Sequence, residues 1–406
     1  MTKEEIIEEI LNRAIEKIYP SKKELKKALL SKRKLRVYFG VDPTSPHLHL
    51  DHGTSLLILK RFQKLGHKVF LLVGDFTAQI GDPTGRISPR KQLSREEVLE
   101  NLKNYKKQAS KILDFESKKN PAKLIFNSKW WRKFSLEDFI ELLKKFTVGQ
   151  LIKRDLFKRR MKAKKEIFLH EFIYPLLHGY DSVALNVDVE VGGSDQIFNM
   201  LIGREMLKIF KKKEKFILAK KLLSHPKTGE ILMSKSKGKY IALDEKPLDM
   251  YGKIMALPDE IIISGFEHWT EVPLKEIKEM KEDLKLKKVS PRVLKAALAK
   301  EVVSLYHGKK IAERTEKEFN RIFKEKKLPS KIREVKLEKK KIQILELLVK
   351  VGLCSSKSEA KRLILQGGVR VNKEVEREWR KMIEVKDRMI IQVGKRKFVR
   401  LKVSKK

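Results

Sequence analysis

Two histidines and a lysine are the residues of this chain whose spacing speaks most directly of chemistry. His49 and His52 lie in the string Asp42-Pro-Thr-Ser-Pro-His-Leu-His-Leu-Asp-His52, directly after the apolar run Val37–Val41. Three residues apart at the start of a helix, their imidazoles share one face. Imidazole N–H groups and a helix N-terminus both favour anionic ligands. Lys235 stands between the hydroxyls of Ser234 and Ser236 in Leu232-Met-Ser-Lys-Ser236, in a loop that also holds Met233. Together the two strings read as a site that grips a nucleoside triphosphate from both sides. When a carboxylate attacks an α-phosphate, charge grows on the equatorial oxygens. Donors aimed at those oxygens lower the barrier without a protein acid or base. His49, His52, Thr44, Arg86, Arg90 and Lys235 are the candidates for that work.

A second group reads as a pocket wall. Tyr174, His178 and Asp181 recur at i, i+4 and i+7, one face of one helix, among Phe168, Phe172, Leu176 and Leu177. Tyr38, on the preceding apolar run, could point into the same space. A phenol and a carboxylate suit a ligand that is itself a phenol, since both can share hydrogen bonds with its hydroxyl. Such a site rejects the analogue that lacks the hydroxyl, because buried polar groups would be left unpaired. The turn Gly192-Gly-Ser-Asp-Gln196 lets the backbone approach a ligand, and Asp195 could accept both hydroxyls of a ribose.

The elements that must hold these residues alternate in type. Strands are expected at 36–41, 67–73, 123–126 and 187–191, with helices between them. Ser94 with Glu97 marks a capping box opening a helix to about Leu113, and Ser135 with Asp138 opens another. This alternation predicts an α/β fold, a Rossmann-like doubly wound parallel sheet. In such sheets ligands sit outside the carboxyl ends of the strands, where the motif turns fall. The expected division is a catalytic domain over 1–240 with a helical insertion near 130–170, and a helical domain over 241–323. A charged linker over 324–341 and a small α+β domain over 342–406 complete it.

Composition narrows the partners. The 406 residues carry a formal net charge of +41, which points to a polyanion such as nucleic acid. Hydrophobic residues make up 41%, enough for packed cores. The single cysteine, Cys354, excludes an intrachain disulfide and fits a reducing, cytoplasmic setting. The charged N-terminus does not read as a signal peptide, and no apolar run reaches the length of a membrane span.

The two opening strings resemble the HIGH and KMSKS signatures of class I aminoacyl-tRNA synthetases. With the phenol pocket, the resemblance narrows to the tyrosyl-tRNA synthetases of bacterial type and extends over essentially the whole chain. It implies that tyrosine and ATP give tyrosyl-adenylate, and that the acyl group then moves to the 3′ end of tRNA. Carried over residue by residue, Tyr38 and Asp181 match the readers of the tyrosine hydroxyl. Tyr174, Asp82 and His178 match positions around its amino group, and Gln196 the residue near its carboxylate. Asp42, Thr44, Gly193 and Asp195 match ATP contacts, as do Met233, Ser234, Lys235 and Ser236. Arg86 and Arg90 stand where the family holds pyrophosphate. The resemblance further implies a homodimer with its contact near 130–170, and Mg²⁺ that travels with ATP without a dedicated protein site.

Three positions depart from the family pattern. Asp51 replaces the HIGH glycine that leaves room for adenine, Leu232 replaces the first KMSKS lysine, and His178 replaces a glutamine. Asp51 is expected to handicap ATP by its volume and by its charge near the triphosphate. At the C-terminus, Ser356-Lys-Ser-Glu359 reads as a capping box, with Lys357, Lys361 and Arg362 on the helix it opens. With Gly367-Gly-Val-Arg-Val-Asn372 this resembles an S4-type RNA-binding domain, whose cations would contact phosphates. Two other readings stay open on sequence alone: a tryptophanyl-tRNA synthetase, and a non-catalytic RNA-binding protein with a decayed synthetase body.

Overall fold

The computed structural model describes all residues except 86–91, 226, 230, 234–239, 326, 331, 339–340, 395–396 and 404–406. The chain forms two compact units, Met1–Glu313 and Arg314–Lys406.

The first unit is built on a six-stranded sheet of β1 (Ile15–Tyr19), β2 (Arg36–Val41), β3 (Lys68–Val73), β4 (Lys123–Phe126), β5 (Val189–Gly193) and β6 (Phe216–Lys220). The spatial order is β1-β6-β5-β2-β3-β4. Every pairing is parallel except that of β1, which runs antiparallel to β6 at the edge. The chain crosses from β2 to β3 on one side and later returns to β5 on the other. The switch point therefore lies between β2 and β5, where a crevice opens at the carboxyl ends.

The expected strands form, with the fourth shifted to Val189–Gly193 so that it carries the glycine pair. Two strands escaped the sequence reading. β1 lacks a clean alternation, and its register shifts between Ile15 and Lys17. β6 is a short apolar run, and periodicity alone does not separate such a run from a buried stretch of helix. The helix expected from Ser94 to Leu113 is two helices, Arg95–Leu102 and Tyr105–Ala109, with Asn104 between them.

Helices Pro247–Met255, Ile262–Trp269, Leu274–Lys285 and Pro291–His307 belong to the same unit as the sheet. Arg13, at the C-terminus of helix Lys3–Asn12, ties them in. Its buried guanidinium donates to the carbonyls of Phe266, Glu267, Thr270 and Val272 at 2.6–2.9 Å. It also pairs with the buried Glu9 at 2.9 Å.

In the second unit, β7 (Arg333–Leu337) falls in the stretch expected to be a linker. It pairs in parallel with the last of six later strands: β8 (Lys341–Gln343), β9 (Val369–Val371), β10 (Glu374–Glu376), β11 (Met382–Glu384), β12 (Ile390–Val393) and β13 (Lys397–Val403). Leu337 is buried and Val335 packs on the same core, which gives a highly charged segment a structural place. Helices Ile344–Lys350 and Lys357–Leu365 cover that core.

Replacing Arg13 by alanine removes the nearest counter-charge of the buried Glu9, which keeps only the Leu274 N–H at 2.9 Å and Arg61 at 3.6 Å, and takes a donor from four carbonyls. It is expected to cost roughly 3–5 kcal/mol of stability, as is usual for a broken buried pair. Urea unfolding of Arg13→Ala against the parent measures this, and a loss below about 1 kcal/mol would show that the surroundings relax around the gap.

Candidate functional site

A cavity of about 380 Å³ opens at the carboxyl ends of β2, β5 and β6. It brings together nearly every described residue singled out in the sequence: Tyr38, Asp42, Thr44, His49, His52, Asp82, Tyr174, His178, Asp181, Gly193, Asp195, Gln196 and Met233. Arg86, Arg90, Ser234, Lys235 and Ser236 lie outside the described residues.

One side of the cavity begins where β2 ends. His49 is the N-cap of helix Leu50–Lys64, and His52 sits in its first turn. Their rings stack at 3.8 Å between centroids, and the His49 backbone N–H donates to His52 Nδ1 at 3.1 Å. The chain following the second motif is stitched to this helix start. Leu50 N–H donates to Ile241 O, and Leu243 N–H donates to Leu48 O. Met233 is buried, and its sulfur accepts from Ile241 N–H at 3.4 Å. Leu232 and Met233, which open the second string, thus line the same cavity as His49 and His52 about 180 residues earlier in sequence.

The next stretch of wall is a relay of hydrogen bonds. Tyr174 Oη donates to Asp42 Oδ2 at 2.9 Å, and Thr77 Oγ1 donates to Asp42 Oδ1 at 2.7 Å. Asn127 Nδ2 reaches both Thr77 Oγ1 at 3.0 Å and Asp181 Oδ2 at 3.2 Å. Trp130 and Trp131 donate their indole N–H groups to Asp181 Oδ1 at 3.0 and 3.2 Å. Gly74 is required here, because a Cβ at that position would stand 2.0 Å from Asp42 Oδ1. Burial raises the Asp181 carboxyl to about 7, with His178 and the three N–H donors pulling the other way.

Tyr38 does not bond to Asp181. Its hydroxyl meets Ser182 Oγ at 3.0 Å, and Ser182 Oγ accepts from Lys215 Nζ at 2.6 Å. Lys215 is paired with Glu190, which also bonds His178 Nε2 at 2.7 Å. Burial opposes charge on Glu190, yet Lys215 and His178 hold its carboxyl down at about 2. Burial also works against charge on His178, but Glu190 beside it raises its pKa.

On the third side, Gln196 Nε2 donates to Asp82 Oδ2 at 2.9 Å while its Oε1 accepts from Asn199 at 2.7 Å. Burial works against charge on Asp82, but Arg154 at 3.6 Å and the Thr84 bonds keep it below the usual carboxylate range. Asp195 folds back over Gly193, where a Cβ would stand 2.3 Å from its Oδ1. Burial, then Asp82, push Asp195 upward. Asp51, expected to set its volume and charge against a triphosphate, has a counter-charge. It is paired with Lys220, the last residue of β6.

Sequence reasoning missed Thr77, Asn127, Trp130, Trp131, Ser182, Glu190, Lys215 and Lys220. None belongs to a spaced motif. Only the topological rule, that strand ends line the crevice, could have singled out Lys220. Among the described residues no cluster of three or more His, Cys, Asp or Glu could hold a metal ion, and no helix is long and apolar enough to cross a membrane.

In the second unit Ser356 caps helix Lys357–Leu365, its Oγ accepting from Glu359 N at 3.1 Å. The reciprocal half of the expected capping box is absent, because Glu359 instead accepts from the N–H and hydroxyl of Ser355. Lys357, Lys361 and Arg362 are exposed, with Lys361 Nζ 4.1 Å from the centre of the Trp379 ring.

Asp181 gives a pH signature. Its folded pKa of about 7 lies above the ordinary 3.8, so ionising it disfavours the folded state. Stability from this group is full below about pH 4 and lost as pH rises to about 7, by a few kcal/mol at most. Thermal unfolding across that window should show the decline in the parent and a flatter profile in Asp181→Asn.

Comparison with known proteins gives the family. Residues 30–324 match the family model of class I tRNA synthetases (W and Y). Residues 323–401 match that of the tyrosine–tRNA ligase SYY-like C-terminal domain. The tyrosine–tRNA ligase of Carboxydothermus hydrogenoformans is 43% identical, over 97% of each chain. That of Thermotoga maritima is 41% identical over 99% of this chain and 98% of its own. Among solved structures, a C-terminally truncated mitochondrial tyrosyl-tRNA synthetase of Aspergillus nidulans aligns with a TM-score of 0.67 and 25% identity. It covers 78% of this chain and 94% of that one. Matched along nearly its whole length, the chain belongs to the class I tRNA synthetases, and within them to the tyrosine–tRNA ligase family.

Proposed function

We propose that this chain activates tyrosine with ATP and transfers it to the 3′ end of tRNA(Tyr). The observation that carries the reading is a single cavity that joins a phenol-reading wall, Tyr38 and Asp181, to a stacked histidine pair at a helix N-terminus. The tyrosine carboxylate attacks the α-phosphorus of ATP, and pyrophosphate leaves. The terminal adenosine hydroxyl of tRNA then attacks the adenylate carbonyl, and AMP leaves.

Asp181 and Tyr38 share the substrate hydroxyl. Tyr174, Asp82 and His178 surround its ammonium, and Gln196 lies near its carboxylate. Asp42, Thr44, Gly193 and Asp195 contact ATP. His49 and His52 donate to the phosphate oxygens as charge grows there. Arg86, Arg90, Ser234, Lys235 and Ser236 complete the phosphate grip by their match to the family strings. Mg²⁺ arrives with ATP. The second unit holds tRNA through Lys357, Lys361 and Arg362, and the working form is a cytoplasmic homodimer with its contact near residues 130–170.

A hydroxyl-reading pocket should favour tyrosine over phenylalanine by on the order of 10⁴ or more in amino-acid-dependent pyrophosphate exchange. Equal exchange with phenylalanine or tryptophan would overturn the assignment. His49→Ala should lower the activation rate by about 10²–10³ with little change in tyrosine affinity. Loss of tyrosine affinity at normal turnover would contradict its role. Combined alanine substitution of Lys357, Lys361 and Arg362 should leave exchange unchanged and weaken tRNA binding. The salt slope should become shallower by about 0.7–0.9 for each phosphate no longer neutralised; an unchanged slope would remove these cations from the RNA surface.

A further inference from the structure

The Asp51–Lys220 pair is the feature of the nucleotide side that the proposed chemistry does not use. Asp51 stands one residue before His52, in the first turn of helix Leu50–Lys64. Lys220 comes from the far side of the crevice, at the carboxyl end of β6, opposite Gly193 in register. The Lys220 side chain is 2% exposed and that of Asp51 26%, and both line the cavity. A lysine so buried is costly without a counter-charge. A lone carboxylate facing a triphosphate would repel it. Each residue removes the penalty of the other.

Two neighbours give the pair its consequence. His49 lies close enough to Asp51 to favour its charged form, second to Lys220 in doing so. Without Lys220, Asp51 would draw on an imidazole needed for the phosphates. Asp195 lies close enough to Lys220 to feel its charge. Without Asp51, Lys220 would turn to the carboxylate assigned to the ribose.

We propose that Lys220 is a positioning residue of the nucleotide site, the counter-ion that makes Asp51 compatible with ATP, so that Asp51 and Lys220 act as one exchangeable unit in place of a small neutral residue. The proposal rests on the reading of this cavity as an ATP site, and it replaces the view of Asp51 as a simple handicap.

The test is a double-mutant cycle in the full-length protein, read by tyrosine-dependent pyrophosphate exchange against ATP concentration. Tyrosine affinity and thermal unfolding are measured on each variant. Lys220→Met should raise the KM for ATP by about tenfold or more while tyrosine affinity holds. Asp51→Gly should also raise it, through the freed lysine. The double variant should return to within about threefold of the parent, better than either single change. Should Lys220→Met fail to fold, Lys220→Arg, which keeps the charge, should preserve the KM, and Lys220→Gln should raise it. A KM for ATP unchanged in Lys220→Met or Lys220→Gln, or purely additive effects in the double variant, would overturn the proposal. Absence of tyrosine-dependent exchange in the parent would instead overturn the underlying functional reading.

Discussion

A carboxylate buried in the middle of a sheet is the constraint around which this cavity is arranged. Glu190 lies on β5, in register with Tyr38 on β2, and is 2% exposed. An uncompensated charge there would be prohibitively costly, so the fold must bring cations to it. Lys215 and His178 do so from two different elements. His178 thereby commits Nε2 inward, which leaves only Nδ1 to serve the cavity. Lys215 in turn binds Ser182, and Ser182 fixes the Tyr38 hydroxyl. The position of the phenol proposed to read substrate is thus set from Glu190 through two intermediates, Lys215 and Ser182, held by charge and hydrogen bonding.

A second polar chain links the two halves of the site. It runs from Asp42 at the end of β2, through Thr77 and Asn127, to Asp181. Asn127 also accepts from Phe76 N–H, which anchors the turn after β3. A fully satisfied buried network is rigid, because any rotation leaves a donor or acceptor unpaired. The carboxylate expected to meet the nucleotide and the carboxylate expected to meet the phenol therefore share one framework. This suits a reaction in which two substrates must be held in line within a few tenths of an ångström.

Much of this was legible in the sequence. The alternation of apolar strands and amphipathic helices is a local property, and it located β2 to β5. The motif strings are local too, so His49, His52, Tyr174, His178, Asp181 and Gln196 could be named before any geometry was known. The partners of those residues were not legible. Asn127, Ser182 and Lys215 are single polar residues whose roles come from contacts between distant segments. The linker expectation failed at β7 for a related reason. Arg333–Leu337 is charged at most positions, and its strand character comes from pairing with β13, some sixty residues later. Asp51 shows the same limit from the other side. Its charge was visible, but the lysine that pairs with it was 169 residues away.

Two of the cations that neutralise carboxylates here come from one short stretch of chain. Lys215 immediately precedes β6 and Lys220 closes it. Between them Ile217, Leu218 and Ala219 are fully buried, which fixes the strand in depth and register against β5. The parallel register sets Phe216 beside Val189 and Lys220 beside Gly193. Lys215 accordingly meets Glu190, and Lys220 meets Asp51. A slip of one residue would turn every side chain of β6 to the opposite face and strip both carboxylates of their partners at once. The apolar centre of β6 is therefore an electrostatic device as much as a packing one: by holding register, it keeps two carboxylates paired beside the cavity proposed to take anionic phosphates.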